Sequence, residues 1–291
     1  MKLVRITWLL VLSVVQNMAY ANIIGPVEVQ NLYQRVKTTL DRSNQVEPYY
    51  LEPEKSKNIE AGEAAYYLPL GLDEIADSLS SVKNWCEVMS LHINVKTCTY
   101  SEKNNAITVY MGRKTYQGPD QAHDLTYEFN TIREDGYFAA IAVAKKGPLG
   151  TSNYHIEVEI IAIDNKTFGR IYVSNKRSWV SSIAMKLYLA TKGRNKQGIK
   201  VVSRDGEGNP TYSRGETGVA ERNLLRYYFA FIAFFNEIDE QDPLKRHEGQ
   251  LTYWFDQTER YPQLYEMSRE EYLGGKRKER ENQTALQQLQ K

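Results

Sequence analysis

The sequence is poor in the residues from which most catalytic and metal centres are built. It has 4 histidines and 2 cysteines in 291 residues. No GxSxG occurs, which excludes a nucleophile elbow of the hydrolase type. Gly206, Gly208 and Gly215 lie in one loop region, but no Walker-type lysine and Ser/Thr follow them, so a phosphate cradle has no support. Charge of either sign is not in excess: 37 Lys+Arg stand against 36 Asp+Glu. That balance argues against a nucleic-acid-binding domain with a dominant basic face. No apolar run approaches the ~20 residues needed to cross a bilayer. No motif calls for a cofactor.

What is present begins with an export signal. Lys2 and Arg5 give a positive start, Ile6 to Val15 a short apolar stretch, and Ala19-Tyr20-Ala21 a small-x-small cleavage site. The expectation is cleavage after Ala21 and a periplasmic or secreted protein. No cysteine lies beside the cleavage site to carry a lipid anchor. An uncut signal anchor is the alternative.

Export gives the cysteines a meaning. Cys86 and Cys98 have only each other to pair with, and an oxidising compartment permits the bond. A loop this short stabilises by about 3 kcal/mol in the chain-entropy model. His92, midway between them, raises a Cys-His-Cys metal site as an alternative, but three ligands without CxxC or HxxxH spacing make a poor one.

Along the chain, Val29, Leu32, Tyr33, Val36 and Leu40 predict an amphipathic helix over 27–42. A connection through Pro48 and Pro53 follows, then a short strand from Gly62 to Leu68. Ile75, Ala76, Leu79, Val82 and Trp85 mark a second helical region. The period then changes to alternation. Ile93–Tyr100, Ala106–Met111, Leu125–Arg133, Tyr137–Lys145, Tyr154–Ile163 and Thr167–Lys176 read as strands joined by short turns. Asp135-Gly136 is a strong hairpin signal, because that turn needs positive φ. Consecutive hairpins make an antiparallel meander. A helix over 179–191, a strand over Ile199–Ser203 and a long helix over 216–238 follow. Ser268 with Glu271 forms a capping-box pattern for one more helix.

The long helix is the anomaly. Tyr227 to Phe235 is an unbroken run of nine apolar or aromatic residues. A surface helix keeps one apolar stripe, and this one is apolar in nearly every direction. It must be covered on more than one side. The aromatic stretch containing Trp254, Phe255, Tyr261 and Tyr265 is placed to cover its outer side.

A strand, two short helices, an antiparallel meander and a long C-terminal helix is the order of the START-like helix-grip fold, the Bet v 1-like superfamily. Residues 62–238 resemble it by element order rather than by a diagnostic motif. Segments such as Trp85-Cys86 through Cys98, and Glu221-Arg222-Asn223 through Tyr228, also resemble exported bacterial proteins of uncharacterised function. The resemblance implies an α+β fold: a curved antiparallel sheet gripping a long C-terminal helix, with an N-terminal helix and a C-terminal helical extension added. It implies a cavity between sheet and helix in which members hold lipids, sterols or other apolar molecules. The expected organisation is a signal peptide (1–21), an N-terminal helix and linker (22–61), the START-like domain (62–240), an aromatic helical extension (241–275) and a charged, disordered tail (276–291).

On that reading the ligand contacts are Tyr228, Phe231, Ile232 and Phe235, with Trp85 and Trp179 at the rims. Arg222 and Arg226, four apart on one helix face, would hold an anionic head group; internal ion pairs with strand carboxylates are the plainer alternative. His155, Glu157 and Glu159 alternate along one strand and offer a metal or acid–base site, but the simpler account is a solvent face. Lys276, Arg277, Lys278 and Arg280 form a basic cluster able to touch anionic lipid, or a solvated helix end. The function expected is a periplasmic binding protein for an apolar or amphipathic molecule such as a lipid. The alternatives are an enzyme on the same fold acting on a lipid-like substrate, and an envelope protein-interaction module whose core is filled. Nothing in the sequence fixes an oligomeric state.

Overall fold

The alternating segments do form strands, and consecutive ones pair. In the computed structural model, which describes residues 23–43, 45, 49–55 and 58–290, they build one sheet. The segment expected to be a signal peptide lies outside the described residues. The strands are β1 (Tyr49–Lys55), β2 (Ile59–Leu68), β3 (Val95–Ser101), β4 (Ala106–Met111), β5 (His123–Glu134), β6 (Tyr137–Lys146), β7 (Ser152–Ile163) and β8 (Lys166–Lys176). They form an 8-stranded antiparallel sheet in the order β1-β2-β8-β7-β6-β5-β4-β3. The meander from β3 to β8 is local, and β2 returns to pair with its last strand. Gly136, at φ +68°, makes the β5–β6 turn, as the Asp-Gly pair requires.

The helices are α1 (Gly25–Asp41), α2 (Leu72–Leu79), α3 (Val82–Leu91), α4 (Trp179–Ala190), α5 (Gly215–Asn236), α6 (Pro243–Glu259) and α7 (Arg269–Leu289). A small hairpin of β9 (Val201–Arg204) and β10 (Pro210–Tyr212) lies between α4 and α5. The inner face of the sheet contributes Ala64, Tyr66, Phe138, Ala140, Val158, Ile160 and Ile171 to one core that also takes in α2, α3, α5, α6 and α7, with α5 lying against β1 and β2 and α2 against β6 and β7. Cys86 on α3 and Cys98 on β3 are joined by a disulfide in this core. The predicted bond is therefore present, and His92 beside it is not a metal ligand of those sulfurs.

The outer face differs from expectation. Glu157 and Glu159, read as solvent-facing, are completely buried. Over Glu159 the cover is α1, which starts there and packs Val29, Leu32, Tyr33, Val36 and Leu40 against Ala65, Tyr137, Ala139, Ile161 and Phe168 on that face. Glu159 accepts hydrogen bonds from the Tyr137 hydroxyl at 2.8 Å and the Gly25 amide at 2.9 Å, and pairs with the Arg170 guanidinium at 2.6 Å. Its carboxylate thereby satisfies amides and positive charge at the start of α1. Glu157 lies 3.5 Å from His155 Nδ1. The alternation of charge along β7 is real, but Glu157 and Glu159 are buried rather than in water.

Two further segments differ. The linker reading of residues 22–61 missed β1, which pairs with β2 along its whole length. Pro53 is tolerated there because β1 is an edge strand, where a missing amide costs no ladder bond. The tail after Gly275 is helix, not disorder. Lys276, Glu279 and Gln283 repeat at three and four residues and are buried against β3. Lys276 Nζ donates to the His92 and Val95 carbonyls at 2.8 and 2.7 Å. Glu279 closes ion pairs with Lys96 and Lys276 at 2.8 and 2.9 Å. This side of α7 buries polar groups, so hydrophobic periodicity could not reveal it.

Candidate functional site

The first half of α5 does not fill the grip. Between it and the sheet lies a cavity of about 430 Å³. The wall from α5 is Ala220, Asn223, Leu224 and Tyr227; the wall from the sheet includes Met111, Leu125, Tyr127, Ile156 and Val173. α4 lies across the mouth and turns Ser181, Ala184, Met185 and Tyr188 inward. A single helical turn at Pro148–Gly150 supplies the remaining edge, and the Ser178 hydroxyl at the start of α4 donates to its Leu149 carbonyl at 2.5 Å.

Local chemistry explains this placement. Gly62 lies on β2 where a Cβ would come within 3.3 Å of the β1 backbone and 3.5 Å of Leu224 Cδ2, so its bareness admits α5 close to the sheet. Ser178 caps α4 by accepting from the Ser181 amide, and Ser181 returns the bond to the Ser178 amide. α4 therefore starts abruptly at the end of β8 and folds back over the cavity. Its short span leaves none of its residues fully buried.

The cavity has an apolar body and one polar end. Register pairs Glu60 with Asn175, and Ser174 with His155, and all of them line it together with Arg177. Burial raises the Glu60 carboxyl above its ordinary pKa, with Arg177 opposing and Glu216 adding to the rise. Arg177 is itself paired with Glu216 at 2.6 Å. Tyr154 shares a hydrogen bond of 2.6 Å with Thr151, and burial raises its pKa. Donors, acceptors and an acid that resists ionisation thus share one end of an otherwise apolar space. That arrangement suits a molecule with one polar and one apolar end.

The residues expected to touch a ligand lie elsewhere. Tyr228, Phe231, Ile232 and Phe235 are on α5, but they are buried in side-chain packing rather than on the cavity wall. Trp85 is fully buried, edge-on to Phe129 and Phe231 at 5.3 and 5.5 Å, and its indole donates to the Leu79 carbonyl. Trp179 is on α4 beside the cavity, but its ring faces outward and is 79 % exposed. Arg222 donates to the Gln197 carbonyl at 2.6 Å, and Arg226 pairs with Glu266 at 3.0 Å. Both arginines are buried and internally engaged. Their partners come from the α4–β9 connection and the segment before α7, not from the strands. The residues missed were the neighbouring stripe of the same helix and the inner side of α4.

Strand order, two short helices between β2 and β3, and the gripped α5 together define the architecture. The chain has the START-like helix-grip fold. No family model matches the sequence, and no curated protein matches it. Among solved structures, a START superfamily protein from Mycobacterium smegmatis is similar at 9% identity, covering 47% of this chain and 96% of its own, with a TM-score of 0.30. Ginseng major latex-like protein 151 from Panax ginseng gives 12%, 45% and 93% with a TM-score of 0.30. A conserved protein from Geobacillus kaustophilus gives 13%, 45% and 84% with a TM-score of 0.30. Beyond the sheet, α2, α3 and α5, this chain has α1 on the outer face, α4 followed by the β9–β10 hairpin, and α6 and α7 after α5. Among the described residues no cluster of three or more His, Cys, Asp or Glu is arranged to hold a metal ion.

Proposed function

We propose that the protein is a periplasmic binding protein for an amphipathic small molecule such as a lipid, held between the sheet, α4 and the first half of α5. The observation that carries this reading is the cavity, apolar along Leu125, Ile156, Val173, Leu224 and Tyr227 and polar at Glu60, Asn175 and Arg177. Its volume lies in the range of small-molecule sites, ~300–1,000 Å³. Apolar burial at ~25 cal/mol per Å² would drive association, and the polar end would orient the molecule. The buried disulfide is compatible with an oxidising compartment, and among the described residues no helix is long and apolar enough to cross a membrane. Export itself rests on the signal sequence.

Ala220→Trp tests the reading. Ala220 lines the cavity from α5, and an indole there would occupy the space meant for the ligand. Protein purified from its native envelope should release a consistent set of lipids to mass spectrometry and should bind a fluorescent fatty acid that those lipids displace. The variant is expected to lose at least tenfold in probe affinity, about 1.4 kcal/mol, while keeping its circular dichroism. A wild-type protein that is always empty and takes up no probe overturns the proposal; so does a variant that binds as well as wild type.

A further inference from the structure

α4 has two apolar faces. The inner one lines the cavity. The outer one presents Trp179, Val180, Ile183 and Leu187 at 79, 47, 47 and 65 % exposure. Leu149, joined to the start of α4 through Ser178, adds a further exposed apolar side chain at 51 %. Single exposed apolar residues are ordinary, but a stripe of them on one short helix beside a cavity mouth is not.

The charge around this stripe says what covers it. From Ile171 to Arg204 the chain carries 8 Lys or Arg and no Asp or Glu, in a protein of net charge +1. Lys176 stands exposed before α4, Lys186 lies on it, and Lys192 and Arg194 follow in the turn that closes it. None of these four has an ion pair among the described residues. By contrast, three of the four members of the basic cluster expected to touch lipid in the tail are engaged, and the fourth, Lys278, stands over the Tyr116 ring at 5.5 Å. Lys276 is buried, Arg277 pairs with Glu248, and Arg280 pairs with Glu87 at 2.7 Å.

We infer that the outer face of α4 docks on the surface of an anionic lipid bilayer, with the cavity mouth held against the lipid. An apolar stripe sinks into the boundary between head groups and acyl chains while flanking cations meet anionic head groups. Trp179 sits where an interfacial tryptophan belongs, at the edge of the apolar stripe. A second copy of the chain fits less well, because a two-fold contact would bring each set of unpaired cations against its own twin. The inference goes beyond the ligand reading and does not depend on it: docking needs only the outside of α4, whatever fills the cavity.

Flotation of the purified protein with phosphatidylcholine vesicles, with and without phosphatidylglycerol, tests this. Binding is expected with the anionic vesicles, falling as salt screens the head groups. Tryptophan emission should shift to the blue, and brominated lipid should quench it; Trp179→Phe should remove that signal while leaving flotation intact. Ile183→Ser with Leu187→Ser, both at exposed positions, should lower vesicle partition roughly tenfold or more, since two apolar anchors are lost. Lys186→Glu with Lys192→Glu should lower it by roughly as much, and only on anionic vesicles. No flotation at low salt, or undiminished flotation of the Ile183/Leu187 variant, overturns the inference. So does concentration-dependent dimerisation that the same variant abolishes in the absence of vesicles, which would assign the face to a second copy.

Discussion

The two halves of α5 solve the same problem differently. Over Tyr228–Phe235 the helix is surrounded by side chains: the Tyr66 ring lies tilted 4.7 Å from Tyr228, and Trp85 meets Phe231 edge-on at 5.5 Å. Over Ala220–Tyr227 the same helix, gripped by the same sheet, faces a cavity closed by an incompletely buried α4. One half has α3 and α6 packed around it. The other has a short strap. The fold therefore separates stability from capacity along a single helix: the packed half anchors, and the open half leaves room.

The largest test of that division is in the packed half. Phe231→Ala should cost about 3–5 kcal/mol in urea unfolding, because the site is fully buried and surrounded by rigid rings. Leu224→Ala, on the cavity wall, should cost less, about 2–3 kcal/mol, since part of its surroundings is already empty. Probe affinity should move the other way, changing with Leu224 and not with Phe231. Equal stability losses at the two positions would mean that the halves are packed alike.

The packed half also predicts a pH dependence. His247 on α6 is buried, and burial, with Arg280 and Lys276 nearby, pushes its pKa down to about 3. Glu248 acts in the opposite direction. The unfolded chain binds a proton at this histidine below about pH 6.5, whereas the folded chain does not until about pH 3. Stability contributed by the neutral imidazole is thus present above 6.5 and is lost as the pH falls towards 3. His247→Leu should flatten the acid limb of the urea-stability profile by about one proton over that window. An unchanged slope would show that His247 is protonated in the folded state.

Much of the division was visible in the residues, and its failures share a cause. Alternation located the meander, Asp135-Gly136 its central turn, and two cysteines with only each other to pair with located the disulfide. The unbroken run from Tyr227 to Phe235 identified α5 as a helix covered on several sides. An all-apolar helix has no preferred face, however, so nothing in the run said which stripe meets empty space. The chosen stripe, Tyr228, Phe231, Ile232 and Phe235, lies a little over two turns further along the helix than the lining stripe of Ala220, Asn223, Leu224 and Tyr227, and about one residue round from it. Trp179 failed for the same reason, because α4 is apolar on both sides. Glu157, Glu159 and the Lys276–Glu279–Gln283 stripe failed for a complementary reason: buried charged and polar residues look like solvent faces until their partners are known.

The smallest expected effect lies at the far edge of the packed half. β3 is an edge strand, and the Gln287 side chain on α7 closes it at one residue, accepting from the Tyr100 amide at 2.8 Å and donating to the Tyr100 carbonyl at 2.9 Å. A side-chain amide there does what a neighbouring strand would do. Gln287→Ala removes both bonds, but the position is only partly buried and water can replace them. The expected cost is about 1 kcal/mol. Amide exchange at Tyr100 should quicken, while exchange at Val109 on β4 stays slow. If Tyr100 exchange is unchanged, α7 rests on its buried Lys276–Glu279 pairs alone, and the packed half ends one turn earlier than the helix does.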